Sequence, residues 1–174
     1  IFISYMFIKS DKITRKVSYF LVKRIIDIVG SLFLIIVLMP MYIFIILLIF
    51  FSSGRPIFYK WKIIGYNGKP INSWKFRTMT QDADTLKENL AKNNELKGPV
   101  FKIKSDPRVS WEGRFLRKYS MDESIQLTSI LIGDMSLVGP RPPLQTEWEN
   151  YDDKYKYKAS VKPGLTGLWQ VSGR

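Results

Sequence analysis

The sequence predicts a mostly helical α+β fold that combines a re-entrant membrane helix hairpin broken at Pro40, a small β-hairpin, and amphipathic interfacial helices around a cytoplasmic core. Three observations support this prediction. The most apolar stretch, Ile25 to Phe51, is long enough to cross a hydrocarbon core of ~30 Å at a rise of ~1.5 Å per residue. Two apolar, β-branched segments then flank a turn signal at residues 66–68. Charged segments with helical spacing follow.

The composition limits the chemistry available to the chain. Its 174 residues fit one domain with appendages. A formal charge of +12, from 27 basic and 15 acidic residues, implies an anionic partner: nucleic acid, an anionic lipid surface or a phosphorylated substrate. The absence of Cys and His excludes disulfides and thiolate chemistry and removes the commonest general base. Any metal is therefore expected to be a hard, oxygen-bound cation such as Mg²⁺.

The apolar stretch carries two features that argue against a plain membrane span. Pro40 lies near its middle, where it removes a backbone hydrogen bond and bends a helix. Basic residues flank both ends, and positive charge tends to stay cytoplasmic, so both ends should prefer the same side. These flanking residues are Lys23, Arg24, Arg55, Lys60 and Lys62. Asp27 is expected to pair with a nearby Lys or Arg. An ordinary tilted span with a proline kink is the alternative.

We divide the chain into a basic and apolar lead-in (1–22), a re-entrant membrane helix (23–52) and a cytosolic domain (53–174). The apolar opening of the lead-in fits either the tail of an earlier membrane span or an interfacial segment. In the cytosolic domain, residues 57–64 and 71–76 are predicted to pair as the β-hairpin. Further predictions are a surface helix over 82–96, a short strand over 101–104, a turn at 106–108, a basic helix over 113–119 and an aromatic, charged helix over 146–159.

An acidic pair, Asp122-Glu123, follows two cations, Arg117 and Lys118, at the expected start of a helix that ends near Gly133. Ser120 followed three residues later by Glu123 predicts a capping box, which satisfies free N–H groups of the first helical turn. Taken alone, this pattern is better explained by a helix start without chemistry.

Two other segments present cations. Lys75-Phe76-Arg77 closes the predicted hairpin, and its charges could simply mark a solvated strand end. Pro140-Arg141-Pro142 holds an Arg between prolines, which stiffen the backbone. A stiff loop suits bidentate binding of phosphate oxygens by a guanidinium, although an incidental Arg in a proline-rich loop is the simpler explanation.

Taken in order, six segments resemble the bacterial sugar transferase family, the monotopic polyprenyl-phosphate phosphoglycosyl transferases that initiate capsule, exopolysaccharide and glycoprotein glycan assembly. The resemblance runs from about Val22 to the last residue. Two positions depart from it, with Met39 where Ser commonly precedes the membrane proline and Ser124-Ile125 where Leu-Pro is usual. The matching segments are Lys23-Arg24 with Asp27, Lys75-Phe76-Arg77, Asp106-Pro107-Arg108, Leu116-Arg117 through Gln126-Leu127, Gly133 to Pro142, and Lys162 to Arg174.

The resemblance implies transfer of a phosphosugar from a UDP-sugar to polyprenyl phosphate, with release of UMP, at the cytoplasmic face of the bacterial inner membrane. It implies that Asp122 is the nucleophile of a covalent aspartyl-phosphosugar intermediate, and that Glu123 with Asp122 holds Mg²⁺. With the ordinary pKa of ~3.9, Asp122 would be ionised at neutral pH and need no base. The implied substrate-binding residues are Lys75, Arg77, Arg117, Pro140, Arg141, Pro142, Gln170 and Arg174.

The expected partners are the UDP-sugar, polyprenyl phosphate and an anionic lipid membrane, with oligomers an open option and nucleic acid not expected. Two alternatives are weighed. A non-catalytic membrane anchor or scaffold of a glycan assembly complex would not depend on Asp122 or Glu123. A nucleic-acid-binding module would account for the charge of +12, but it does not explain the long apolar stretch.

Overall fold

The computed structural model of the chain describes residues 17–83, 85, 86 and 106–172. The strand predicted over 101–104, most of the helix predicted over 82–96, and Arg174 lie outside these residues. The described helices are α1 (Val17–Ser53), α2 (Trp111–Lys118), α3 (Leu127–Ile132), α4 (Gln145–Glu149), α5 (Asp153–Lys156) and α6 (Leu168–Val171). The strands are β1 (Phe58–Ile64), β2 (Pro70–Phe76), β3 (Ser136–Val138) and β4 (Gly164–Thr166). Short 3₁₀ segments lie at Tyr66–Gly68, Met121–Gln126 and Tyr157–Ser160.

Helix α1 contains the apolar stretch and continues through Pro40. Within the described residues it is one helix whose length and composition would allow it to cross a membrane. Its apolar side chains are largely exposed, from Tyr19 to Phe51, while a narrower set of residues packs against the rest of the protein. A mostly helical fold with one long apolar helix and a small sheet is thus confirmed.

The predicted β-hairpin is confirmed. Strands β1 and β2 pair antiparallel, with Phe58 opposite Phe76 and Ile64 opposite Pro70. Asn67 in the connecting turn has φ 56°, a left-handed conformation that Asn tolerates better than most residues. The hairpin therefore has a fixed register, which places Ile63, Ser73 and Lys75 on the same face.

Two buried apolar clusters join the hairpin to the helices. The first contains Tyr42, Ile45 and Ile49 of α1 with Phe76 and Leu116. The second contains Ile63 of β1 with Leu127, Ile130 and Met135.

The 3₁₀ segment Met121–Gln126, which we call the acidic turn, is anchored in both clusters. Its residues Met121 and Ile125 pack on the first cluster, and Leu127, the next residue after the turn, lies in the second. The core thus fixes the acidic turn between α1 and the hairpin.

A second sheet, which the sequence analysis did not predict, pairs β3 with β4 in parallel. The Gly139 N–H donates to the Thr166 carbonyl at 2.9 Å, and the Gly164 N–H donates to the Pro140 carbonyl at 2.9 Å. A Cβ on Gly164 would lie 2.0 Å from the Gly139 nitrogen, so this approach requires glycine. The pairing brings the proline-arginine loop next to the glycine-rich segment near the end of the chain.

The prediction of one helix over Thr146–Ala159 is wrong. The segment is divided into α4, α5 and a 3₁₀ turn, because Asn150 ends α4 and Asp152 is extended, with ψ 155°. The short basic helix, in contrast, is confirmed as α2, and residues 106–108 form the predicted turn. The Ser110 side chain caps α2 by accepting a hydrogen bond from the Gly113 N–H at 3.2 Å.

Candidate active site

The acidic turn presents Asp122 and Glu123, but the predicted capping box is wrong. Ser120 has φ 54° and ψ 24°, a left-handed conformation, and its side chain makes no capping hydrogen bond. An N-cap residue is normally extended, which aims its side chain at the first free N–H groups. The Glu123 carboxylate accepts a hydrogen bond from Lys75 at 2.8 Å. The acidic pair is therefore oriented by contacts with the hairpin.

Asp122 is buried, with 7% of its surface exposed. Its pKa is raised above the ordinary value of 3.8, chiefly because burial disfavours the charged form. The neighbouring cations Lys75 and Arg117 act in the opposite direction, whereas the carboxylate of Glu123 raises the pKa further. Asp122 is thus a desolvated carboxyl group whose charged form depends on two cations.

Lys75, at the end of β2, contacts the acidic pair directly. Its Nζ lies 2.8 Å from Glu123 Oε1, in an ion pair whose side chains are 18% and 27% exposed. The same ammonium lies 3.4 Å from the centre of the Trp61 ring. Lys75 is therefore held between an aromatic face and a carboxylate.

Arg117, in the last turn of α2, is the second cation near Asp122. Its Nε donates to Thr78 Oγ1 at 2.9 Å, and its guanidinium interacts electrostatically with Asp122, Asp106 and Glu123. The residue is solvent-exposed. Asp106 itself is held by Arg108, with 2.6 Å between Oδ2 and Nη2. The guanidinium of Arg117 thus lies among three carboxylates.

Arg77 lies elsewhere, at the end of α1. It is buried, and its Nη2 donates to the carbonyl oxygens of Ser53 at 2.6 Å and Gly54 at 2.8 Å. The Ser53 hydroxyl in turn donates to the carboxylate of Glu112. In this structure Arg77 stabilises the C-terminal end of α1, where the chain leaves the apolar stretch.

The loop Pro140-Arg141-Pro142 follows β3 and is tied to both sheets. Pro140 accepts from Gly164, and Pro143, just after the loop, accepts from the Ile64 N–H at 3.0 Å. Pro142 is buried and Arg141 is half-buried. The charge of Arg141 acts on Tyr151, whereas the charged groups that act most on Asp122 are Lys75, Glu123 and Arg117.

Gln170 lies on α6, beside the same loop. A Cβ on Gly167 would lie 3.1 Å from Gln170 Oε1 and 2.2 Å from the Gly139 carbonyl. The described part of the chain offers the buried Oε1 atom no hydrogen-bond partner. The parallel sheet therefore gathers Arg141 and Gln170 into one region.

The acidic pair offers the type and number of ligand groups that Mg²⁺ commonly takes from a protein. Among the described residues, no three carboxylate, imidazole or thiolate groups converge as a metal cage would require. Mg²⁺ is often bound by one or two carboxylates, with waters and substrate phosphates completing its octahedron. Adjacent hard oxygen donors on Asp122 and Glu123 match that pattern.

Two residues near the acidic pair were not recognised from the sequence as contributors to it. Trp61 follows the aromatic pattern of a half-buried strand, which conceals its contact with Lys75. The Thr78 hydroxyl accepts a hydrogen bond from Arg117. In the sequence, only its position directly after Lys75-Phe76-Arg77 could have indicated a role for Thr78. Neither residue type suggests charge chemistry by itself.

Comparisons with known proteins bear on the whole chain. The family model described as bacterial sugar transferase matches residues 18–174. Galactosyl transferase CpsE of Streptococcus agalactiae is 41% identical over 159 residues, which are 91% of this chain and 35% of that protein. Exopolysaccharide production protein ExoY of Sinorhizobium fredii is 41% identical over 156 residues, which are 87% of this chain and 69% of ExoY. Undecaprenyl-phosphate galactose phosphotransferase of Salmonella typhimurium is 42% identical over 168 residues, which are 94% of this chain and 35% of that protein.

Proposed function

The chain belongs to the bacterial sugar transferase family, and we propose that it transfers a phosphosugar from a UDP-sugar to polyprenyl phosphate, giving polyprenyl diphosphosugar and UMP. The observation that supports this most is the buried carboxyl group of Asp122, beside Glu123 and under the charges of Lys75 and Arg117. Relatives named as a galactosyl transferase and an undecaprenyl-phosphate galactose phosphotransferase support the reaction class. The chain spans about a third of the length of these two relatives.

The proposed reaction has two displacement steps at one phosphorus atom. In the first, a carboxylate oxygen of Asp122 bonds to the β-phosphorus of the UDP-sugar, and the bond from that phosphorus to the bridging oxygen breaks. The electron pair leaves with UMP, and an acyl phosphosugar remains on Asp122. In the second, a phosphate oxygen of polyprenyl phosphate attacks the same phosphorus and restores the carboxylate.

The cations of the site address the main difficulty of the first step, which is the approach of an anion to a diphosphate. Lys75 and Arg117 already act on Asp122 and would offset that repulsion and stabilise charge on the transferred phosphoryl group. Arg117 is exposed, and its forked guanidinium suits phosphate oxygens. Burial of Asp122 also leaves its carboxylate poorly hydrated, and a raised pKa makes its charged form more basic.

Asp122 and Glu123 would hold Mg²⁺, which would supply further positive charge to the phosphate oxygens. Lys75 fixes the Glu123 side chain from the hairpin side. We assign roles to the remaining predicted residues from their positions in the structure and the sequence. Arg141, Gln170 and Arg174 would contact the nucleotide, and Pro140 and Pro142 would stiffen the loop. Arg77 would support the site indirectly, through the end of α1.

We further place the protein at the cytoplasmic face of the inner membrane. The exposed apolar side chains of α1 are continuous with a groove whose lining includes Phe44, Leu47, Phe51 and Trp111. On α2 and at its C-cap, the exposed residues Trp111, Phe115 and Tyr119 recur at a spacing of four, beside the cations Arg114 and Lys118. This combination suits the boundary between acyl chains and anionic headgroups, where polyprenyl phosphate presents its phosphate.

An assay with radiolabelled UDP-sugars, Mg²⁺ and polyprenyl phosphate tests the activity. We expect UMP release with at least one donor, and a loss of roughly 10³-fold or more in Asp122→Asn. Asp153→Asn is a matched control, because this exposed Asp pairs only with its neighbour Lys156 in the described structure. No release with any UDP-sugar, or full activity in Asp122→Asn, would contradict the proposal and favour a scaffold.

A further inference from the structure

The contact between Trp61 and Lys75 links the hairpin to the acidic pair. The Lys75 ammonium lies 3.4 Å from the centre of the Trp61 ring and 2.8 Å from Glu123 Oε1. An ammonium at that distance from an indole face is attracted by the negative potential of the ring, and indole binds cations best among the aromatic side chains. The ring and the carboxylate thus contact the same ammonium.

The strand register explains how this contact forms. Lys75 pairs with Tyr59 and Trp61 pairs with Ser73, so Lys75 and Trp61 are diagonal neighbours on one face of the hairpin. Ser73 is fully buried, and its hydroxyl lies 3.1 Å from that of Ser129 in α3. Trp61 packs against the second apolar cluster, and this packing fixes the orientation of its ring.

We propose that Trp61 is a positioning residue for phosphosugar transfer, and that its ring holds the Lys75 ammonium at the acidic pair. A lysine side chain has many rotamers, and confining it costs entropy. The ring face reduces the positions open to the ammonium and directs its N–H groups toward Glu123. The charge of Lys75 is then fixed beside the carboxylates of the acidic pair.

The consequence reaches the acidic pair through Lys75. The Lys75 ammonium lies 2.8 Å from Glu123 Oε1, next to Asp122 in the chain. If Trp61 is replaced by an aliphatic residue, Lys75 gains other rotamers and its average distance from the acidic pair increases. Less positive charge should then face the diphosphate as Asp122 attacks, and phosphoryl transfer should slow.

Competitive labelling of lysine amines, followed by mass spectrometry, tests the contact without any assay of activity. The measured quantity is the labelling rate of Lys75 relative to Lys62, which is exposed on the same hairpin. We expect Trp61→Leu to raise this ratio roughly threefold and Trp61→Phe to raise it less, following the order of cation binding by aromatic rings. Ile63→Val is the matched control, because it loosens the same apolar cluster without contacting the ammonium.

An unchanged ratio in Trp61→Leu would overturn the proposal, and so would an equal rise in Ile63→Val, which would indicate general loosening of the strand.

The turnover number kcat tests the effect on catalysis, and this part rests on the proposed function. Trp61→Leu should lower kcat roughly fivefold and change KM less, in the same direction as Lys75→Met, and should add no further loss when combined with Lys75→Met. Trp61→Phe should restore most of the wild-type kcat. An unchanged kcat, or fully additive losses in the double variant, would overturn the positioning role. Failure of the wild-type protein to use any UDP-sugar would instead contradict the proposed function, and the labelling ratio alone would then decide the position of Lys75.

Discussion

At the scale of single residues, Asp122 combines two opposing requirements. Burial raises its pKa, which favours the neutral acid, whereas the proposed chemistry needs the anion. Lys75 and Arg117 keep the anion accessible, but they do not cancel the cost of burying it. A residue of this kind is expected to reduce the stability of the folded protein in return for reactivity.

We therefore expect Asp122→Asn to unfold at a higher temperature than the wild type near neutral pH. Because burial raises the folded-state pKa of Asp122 above its unfolded value of ~3.9, the ionised carboxylate destabilises the fold at every pH above that raised pKa. The destabilisation declines as the pH falls through the folded pKa and is absent below the unfolded one. Thermal unfolding of both proteins across pH 4–8 measures the difference. A gain in stability that is the same at every pH would show that charge is not its cause.

The residues of the site differ in how far the sequence alone could identify them. Asp122, Lys75 and Arg117 were predicted because they occur in segments that resemble a family, and the structure brings all three together. The capping box failed because the conformation of Ser120 depends on its surroundings and not on its spacing to Glu123. Trp61 could not be identified, because a contact across two strands depends on register and side-chain direction.

At the scale of elements, the short helix α3 is completed by a residue of α1. The guanidinium of Arg24 donates to the carbonyls of Ile130 at 2.6 Å and Leu131 at 2.7 Å. Such carbonyls at a helix end have no partner within their own helix. A cation at this end also interacts favourably with the helix dipole. Arg24 therefore links the apolar helix to the element that follows the acidic turn.

Replacement of Arg24 by Gln should reduce the free energy of unfolding by about 1.5–3 kcal/mol, the usual range for hydrogen bonds made by charged groups. Denaturant unfolding in detergent micelles measures this loss. Arg114→Gln is the control, because Arg114 is exposed on α2 and should change stability by less than about 0.5 kcal/mol. Equal effects of the two substitutions would show that the link to α3 contributes nothing specific.

The elements that the sequence predicted well are local ones. The hairpin and α2 are defined by a turn signal, a cap and a repeating pattern within a few residues of each other. The parallel pair of β3 and β4 has three residues in each strand and joins distant segments. Strands this short show no hydrophobic periodicity, so the sequence does not predict the pairing. The glycines that permit the pairing were visible, but their contacts with each other were not.

Substitution of Gly164 tests how closely the two segments approach. A Cβ in Gly164→Ala would lie 2.0 Å from the Gly139 nitrogen, and backbone must move to relieve the clash. We expect a loss of about 3 kcal/mol, at the upper end of what overpacking usually costs. Gly65→Ala is the matched substitution, because its new methyl would meet the Ile71 side chain at 3.2 Å and the Lys69 carbonyl oxygen at 3.3 Å, both much longer than 2.0 Å. Differential scanning calorimetry should show a much larger drop in Tm for Gly164→Ala, and similar drops would contradict the close approach.

At the scale of the whole molecule, α1 contacts one protein body along its length. Near its start, the Asp27 carboxylate accepts hydrogen bonds from Lys23 at 2.7 Å and from the Leu137 N–H at 3.0 Å, which confirms the expected pairing of Asp27 with a neighbouring lysine. Near its end, Ile49 packs against the body in the first cluster, and the Ser53 hydroxyl donates to Glu112. A helix that passed straight through a bilayer would carry one end away from a body on one side.

We therefore predict a re-entrant position for α1, in which Pro40 provides a weak point in the helix and both ends stay cytoplasmic. Because the chain lacks Cys, single cysteines can report the topology without background. We expect Lys12→Cys and Lys60→Cys to resist a membrane-impermeant maleimide added to intact spheroplasts and to react in inside-out vesicles. Asp153→Cys, in the body, is the control for the cytoplasmic side. Reaction of Lys12→Cys from the outside, with Lys60→Cys reacting only from the inside, would mean that α1 spans the membrane.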